Sequence, residues 1–243
     1  MFQTILYNPL INALVFLYNT VAFQDLGIAI ILLTVFIRLI FAPLFYKSAK
    51  NQIILQRLQP EIKKIQHAHK DNKEKQAAAM MDLYKKHEVN PFSGFLMIII
   101  QLPVLIALYQ VFLQGLSPDI FVHLYSFIVS PAHLNPMFLG LIDLEKRSIL
   151  MVGLAAIAQY WQGRLTLPEI KKGQELSPPE RIGRQMVYFG PILTVVILSS
   201  LPTAIGLYWL VTGVFSIVQQ IYINKTLNLE KEKQEHGIIE TKN

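Results

Sequence analysis

Five stretches of this chain are apolar enough to be read as bilayer spans, and only the first holds a charge away from its ends. They cover residues 26–46, 92–116, 147–163, 186–201 and 203–223. The first would make about 30 Å of helix, the thickness of the hydrocarbon layer. Composition agrees: 53% of the residues are hydrophobic and 16% charged, whereas soluble domains run nearer a quarter charged. The sequence has no cysteine, which excludes disulfides, thiolate metal sites and catalytic thiols.

The net charge of +6 could serve nucleic acid or anionic lipid, so its distribution decides. Residues 47–91 carry ten Lys and Arg, residues 164–184 five and the tail from Lys225 four, while residues 1–25 carry none. Lys146 and Arg147 stand at a membrane edge. The basic segments alternate with the others as five spans require, so the positive-inside rule puts the N-terminus outside and the C-terminus in the cytoplasm. The fold class expected is an all-α membrane protein.

The segments between the spans read as follows. Residues 1–25 lack a basic n-region and a small-residue cleavage site, so they are expected to form an outer interfacial helix rather than a secretory signal. Leu10, Leu14, Leu17 and Val21 would be its apolar stripe. Residues 117–146, broken by Pro118, Pro131 and Pro136, are expected as short interfacial helices on the same side. Residues 47–91 are expected as a cytoplasmic helical hairpin folding back at Asp71-Asn72, with Ile54, Leu58, Ile62 and Ile65 facing Ala77, Met81 and Tyr84. Residues 164–185 make a cytoplasmic loop and 224–243 a cytoplasmic tail.

The basic hairpin residues are interspersed with Glu61, Asp71, Glu74, Asp82 and Glu88 and lack aromatic interleaving, so nucleic acid is not expected as the main ligand. Their functional reading is contact with anionic lipid head groups, the ribosome or incoming chains. The bland one is a solvated helix face that obeys positive-inside. His67 and His69 point to different faces of a helix, so no metal site is expected from them and His87.

Arg38 is the most informative single residue. It lies eight residues before Tyr46, the end of the first run, hence roughly 12 Å into the bilayer, beyond simple snorkelling. An arginine in the bilayer centre costs from about 2.5 to more than 10 kcal/mol. None of the five runs contains Asp or Glu, so an intramembrane ion pair cannot neutralise it and water must reach it. Other polar side chains could line that space: Thr34 one turn from Arg38, Gln101, then Gln159 and Gln162 spaced by three, and Thr212, Ser216 and Gln219 spaced by four and three. Their alternative role is to hold helices together.

These residues also carry a family resemblance. The string from Gly27 to Thr34 with Arg38 and Pro43 resembles the first core span of the YidC/Oxa/Alb insertases. Leu58-Gln59-Pro60-Glu61-Ile62 with Leu83-Tyr84-Lys85 resembles their cytoplasmic hairpin. Asn90-Pro91-Phe92-Ser93-Gly94, Gln101-Leu102-Pro103 and Ala107-Leu108-Tyr109 resemble the second span, and Gly206-Leu207-Tyr208-Trp209 with Gln219-Gln220 the last. Each part is weak alone, but together, in order and over nearly the whole chain, they are specific.

The resemblance implies a hydrophilic groove open to the cytoplasm and to lipid, which receives hydrophilic segments of client membrane proteins without a cofactor or nucleotide. Arg38 would be its positive centre, with Gln101, Gln159 and Trp209 as lining groups. Client membrane proteins and membrane lipids are the implied partners; contact with the Sec translocon, the ribosome or a nascent chain is left open. The chain departs from Gram-negative relatives in lacking a large outer domain and from many Gram-positive ones in lacking a lipid-modified cysteine, so a minimal bacterial inner-membrane form is expected. The tail balances Lys225, Lys231, Lys233 and Lys242 against Glu230, Glu232, Glu235 and Glu240, unlike a strongly basic ribosome-binding tail.

Three other functions compete. A coupled small-solute transporter usually places carboxylates at mid-membrane and shows two related halves, and neither is visible. An intramembrane enzyme lacks its catalytic pattern, so no enzyme activity is expected. A membrane chaperone or assembly factor without insertion activity of its own could use the same groove and hairpin.

Overall fold

A computed structural model describes residues 3–113, 118–167 and 178–235. Among these residues the chain is all-α, with nine α-helices and one two-stranded hairpin. The helices are α1 (Asn8–Thr20), α2 (Leu26–Ile40), α3 (Ala42–Arg57), α4 (Gln59–Ala68), α5 (Lys73–Lys86), α6 (Ser93–Leu113), α7 (Ile149–Thr166), α8 (Pro178–Leu198) and α9 (Thr203–Glu235). The antiparallel strands β1 (Met137–Phe138) and β2 (Ile142–Asp143) lie between α6 and α7. Contacts divide the chain into a first unit, Met1–Phe41 with Ile100–Gln219, and a second, Ala42–Ile99 with Gln220–Asn243.

In the first unit α1 follows a single π-helical turn at Gln3–Tyr7 and packs on α2. The face it buries is Ile11, Leu14, Val15 and Tyr18, whereas Val21 is half exposed. The expected stripe is therefore corrected by rotation about the axis: α1 is apolar on most sides, so polar anchors choose its face. Asn12 is such an anchor. Buried, it donates through Nδ2 to the carbonyl of His123 at 2.9 Å and accepts through Oδ1 from the Tyr125 N–H at 2.6 Å. Asn19 Nδ2 donates to the Val129 carbonyl at 2.7 Å, and the Tyr18 hydroxyl oxygen accepts from the Asn135 N–H at 3.0 Å.

These bonds hold residues 121–136 on α1 in place of the interfacial helices expected over 117–146. The described part of that segment contains one 3-10 turn (Pro118–His123) and the β hairpin; residues 114–117 lie outside the described residues. Proline and Asx chemistry explains the difference, since Pro131 and Pro136 cannot donate within a helix and Asn135 Oδ1 accepts from the Met137 N–H at 3.0 Å. Leu139 (φ 52) and Gly140 (φ 67) turn the hairpin through the left-handed region. At its far end Asp143 accepts from Lys146, their charged atoms 3.0 Å apart, and this bond holds its carboxyl below the usual carboxylate range.

Asp25 links the hairpin to α2. Its Oδ1 caps the helix, accepting from the Ile28 N–H at 2.9 Å, while its Oδ2 accepts from the Leu139 N–H at 2.6 Å. Phe138 lies directly on Gly27, leaving no room for a side chain there. The core beneath joins α1, α2, α6 and α9 through Ile11, Leu14, Leu26, Ala29, Ile30, Leu33, Ala107, Leu108, Ala204 and Leu207.

The helix expected over residues 26–46 is broken. α2 is 15 residues long and stops at Ile40, and α3 restarts at Ala42. Pro43 accounts for the break: it has no N–H to donate back to the preceding turn, while its fixed φ suits the first turn of a new helix. α8 begins at Pro178, ahead of the expected 186, and residues 168–177 of the expected loop lie outside the described residues. α9 passes its expected end at 223 and reaches Glu235, since neither Gly nor Pro interrupts residues 214–235. The rest of the tail, 236–243, is outside the described residues.

Among the described residues, Thr203–Thr226 alone is an unbroken helical stretch long and apolar enough to cross a membrane. Leu26–Ile40 and Ala42–Arg57 meet the test only as a broken pair, and Gln101–Phe112 is a shorter apolar helix.

In the second unit α4 and α5 pack against each other. Asn72 caps α5, its side chain accepting from the Lys75 N–H at 2.9 Å. Leu58 and Ile62 bury against Leu83 and Val89, with Ile54, Ile65, Met80 and Tyr84 around them. Met81 and Ala77 are exposed, a correction to the expected second stripe. Ala49 of α3 packs with Ile223 of α9, beside Tyr46 and Ile53.

Candidate functional site

The first unit buries a cation. Arg38, in the last turn of α2, is 6% exposed. Its Nη2 donates to Gln101 Oε1 of α6 at 3.2 Å, and Gln101 Nε2 donates to the hydroxyl oxygen of Tyr208 on α9. Three helices are joined by one chain of polar groups. Gln101 can do this because its carboxamide carries an acceptor and a donor: the acceptor faces the guanidinium and the donor faces the phenol. Gln101 and Tyr208 bond the guanidinium side of this chain with neutral groups, which add no formal charge of their own. Such a site attracts acidic or hydrogen-bonding groups.

The remaining predicted residues fall into different surroundings. Thr34 is buried one turn before Arg38, with its hydroxyl donating to the Ile30 carbonyl at 2.6 Å. Gln159 turns toward α8, where its Oε1 accepts from the Thr194 hydroxyl and its Nε2 lies against Gly190. Gln162 and Gln159 line a cleft of about 290 Å³ between α7 and α8, with Thr166, Gly183 and Met186. Trp209 packs in an apolar cluster with Val152, Ala155, Leu198 and Ile205. Ser216 is buried on α9 and its Oγ has no hydrogen-bond partner among the described residues. Thr212 and Gln219 are partly buried on the same helix.

α9 can approach α7 closely because Gly206 faces Met151 and Gly213 faces Ala158; a Cβ on either would meet its neighbour at 3.1 Å. Small residues at such positions set helix spacing in a membrane bundle. Tyr208 was not among the expected site residues. It stands beside Trp209 in the Gly206–Trp209 string, where an aromatic side chain in an apolar helix reads as packing. Its hydroxyl becomes significant only once Gln101 lies opposite.

The family model described as 60Kd inner membrane protein matches residues 16–232. The chain is similar to the membrane protein insertase YidC of Geobacter sulfurreducens, 29% identical over 235 residues, 94% of this chain and 39% of that protein. It is similar to the protein of that name from Magnetococcus marinus, 33% identical over 231 residues, 93% of this chain and 36% of the relative. A third, from Rickettsia bellii, is 32% identical over 229 residues, 91% of this chain and 39% of the relative. This chain belongs to the 60Kd inner membrane protein family. It spans about two fifths of the length of the curated relatives it matches.

Proposed function

We propose that the chain is a membrane protein insertase of the bacterial inner membrane. It would cross five times, with the N-terminus outside and the C-terminus and the α4–α5 hairpin in the cytoplasm. The observation that carries this reading is Arg38, buried and hydrogen-bonded through Gln101 to Tyr208, with no carboxylate in any of the five apolar runs.

The proposed action needs no covalent step. A polar or acidic segment of a client enters a groove around Arg38, which shortens its passage through the apolar layer. Each negative charge leaving a negative cytoplasm gains about 2.3 kcal/mol per 100 mV. Thr34, Gln101, Thr212, Ser216 and Gln219 are proposed to line that groove. Gln159, Gln162 and Trp209 are proposed to flank it. Relatives named as insertases support the reading.

The test is purified protein in liposomes with a single-span client that carries a short acidic outer tail. Insertion by the wild type, loss in Arg38→Ala and partial retention in Arg38→Lys are expected. A wild type that only binds the client would instead make the chain a chaperone, and an unimpaired Arg38→Ala would remove Arg38 from the centre of the mechanism.

A further inference from the structure

A second polar site lies in the second unit, where α3, the end of α5 and the start of α6 enclose a cleft of about 620 Å³. That volume is in the range of small-molecule sites. Lys47 and Lys85 stand on its wall, with Glu88 as the one carboxylate in the lining. Ser93 lines it too. As the first residue of the 21-residue α6, Ser93 marks a helix N-terminus, where unbonded N–H groups and the helix dipole favour an anion.

The Ser93 side chain gives an independent sign of a ligand. It is 6% exposed, yet its Oγ has no hydrogen-bond partner among the described residues. Its carbonyl is already used by Ser48, whose hydroxyl donates to it at 2.6 Å. A buried hydroxyl without a partner is unfavourable by a margin comparable to a lost hydrogen bond, and rotation of the Ser93 side chain, which lines the cleft, would give it one on a ligand there. Burial also raises the pKa of Tyr84, another lining residue, so its phenol stays a neutral donor. The donors present, two ammonium groups, two hydroxyls and a helix N-terminus, match a phosphate.

The other lining groups say what is attached to it. Phe92 and Ile99 are 64% and 63% exposed and belong to the same cleft. An apolar rim beside a phosphate-binding wall suits an amphiphile better than a free ion. We infer that this cleft binds an anionic phospholipid, with Ser93, Lys47 and Lys85 on its phosphate and Phe92 and Ile99 against its acyl chain. The supply of lipid rests on the membrane reading above, but binding itself requires no client.

The experiment is native mass spectrometry of the full chain released from nanodiscs of equal phosphatidylglycerol and phosphatidylcholine. Retention of phosphatidylglycerol over phosphatidylcholine is expected. Lys47→Gln and Lys85→Gln should each reduce retention roughly fivefold, the effect of removing one lysine from an anionic headgroup. Ser93→Ala should also reduce it, while Lys70→Gln with Lys73→Gln, at the hairpin tip, should leave it unchanged. Circular dichroism melts of every variant separate lost binding from lost folding. Equal loss in the hairpin-tip variant would mean general charge attraction and overturn the site. Inorganic phosphate displacing the lipid at equal concentration would show that the acyl chain adds nothing and overturn the lipid assignment. Failure of client insertion with lipid retention intact would count against the insertase reading alone.

Discussion

Arg38 Nη2 donates to Gln101 Oε1 at 3.2 Å, and the same carboxamide donates to Tyr208. Gln101 is therefore fixed in orientation from both sides: turned over, it would present its amide to a guanidinium. The glutamine sets the direction of the polar chain, and Tyr208 sets the glutamine.

Tyr208→Phe tests this. The ring remains in a buried site while the accepting oxygen is lost, leaving Gln101 free to rotate. Interhelical hydrogen bonds in membranes average about 0.6 kcal/mol and reach about 1.7. A double-mutant cycle of Tyr208→Phe with Gln101→Leu, read by unfolding in mild detergent, should give a coupling energy in that range. Client insertion should fall in each single variant. Strictly additive energies would mean that the two side chains do not interact.

Gly27→Ala should be one of the most destabilising single-methyl additions in the chain. The new carbon would lie 2.8 Å from Phe138 Cβ and nearer still to its ring, so the aromatic group itself must move. Overpacking of this kind costs about 1–3 kcal/mol. The thermal midpoint should drop in Gly27→Ala and recover part of that loss in Gly27→Ala with Phe138→Ala. No drop in the single variant would show that the β hairpin does not rest on α2 as described.

Glu88 ends α5 in the left-handed region, at φ 51, with the Val89 N–H donating to the Tyr84 carbonyl at 3.0 Å. Glycine is the residue that adopts this conformation without strain. Glu88→Gly should stabilise the hairpin by about 1 kcal/mol, seen as slower amide exchange in α5. Faster exchange would mean that the carboxylate contributes more than the backbone strain removes.

Much of this architecture was legible in the sequence, and the failures share a physical cause. The hairpin turn could be read because Asn72 is a helix-capping residue between two patterned stretches. The partner face could not, because one residue of helix rotates a stripe by about 100°: Met80 and Leu83 pack where Ala77 and Met81 were expected. In α1 the run from Ala13 to Tyr18 is apolar on every side, so periodicity has no preferred direction there, and the buried Asn12 marks the true face. At the polar site Arg38 and Gln101 stood out because burying them is costly. Tyr208 did not, because its ring hides its hydroxyl among ordinary packing aromatics. Gln159 was found as a polar residue in an apolar helix, but spacing along one helix cannot say that its neighbour would be Thr194.

Asn12 offers the last test, on the segment that follows α6. It makes bonds to the Asn8 carbonyl at 2.7 Å, the His123 carbonyl and the Tyr125 N–H from a side chain only 2% exposed. Asn12→Leu keeps the approximate volume but leaves the His123 and Tyr125 backbone groups without that partner. Each such group is worth about 1–3 kcal/mol when buried and unpaired. The segment 121–136 should then detach from α1 before the bundle unfolds, because its other anchors, Asn19 and Tyr18, bind only further along. Limited proteolysis of the protein in outward-facing liposomes should cut Asn12→Leu within this segment at least tenfold faster than wild type, by about the same free energy. Equal cleavage rates would mean that Leu134 and Leu144, both buried in the core, hold the segment without help from the asparagine.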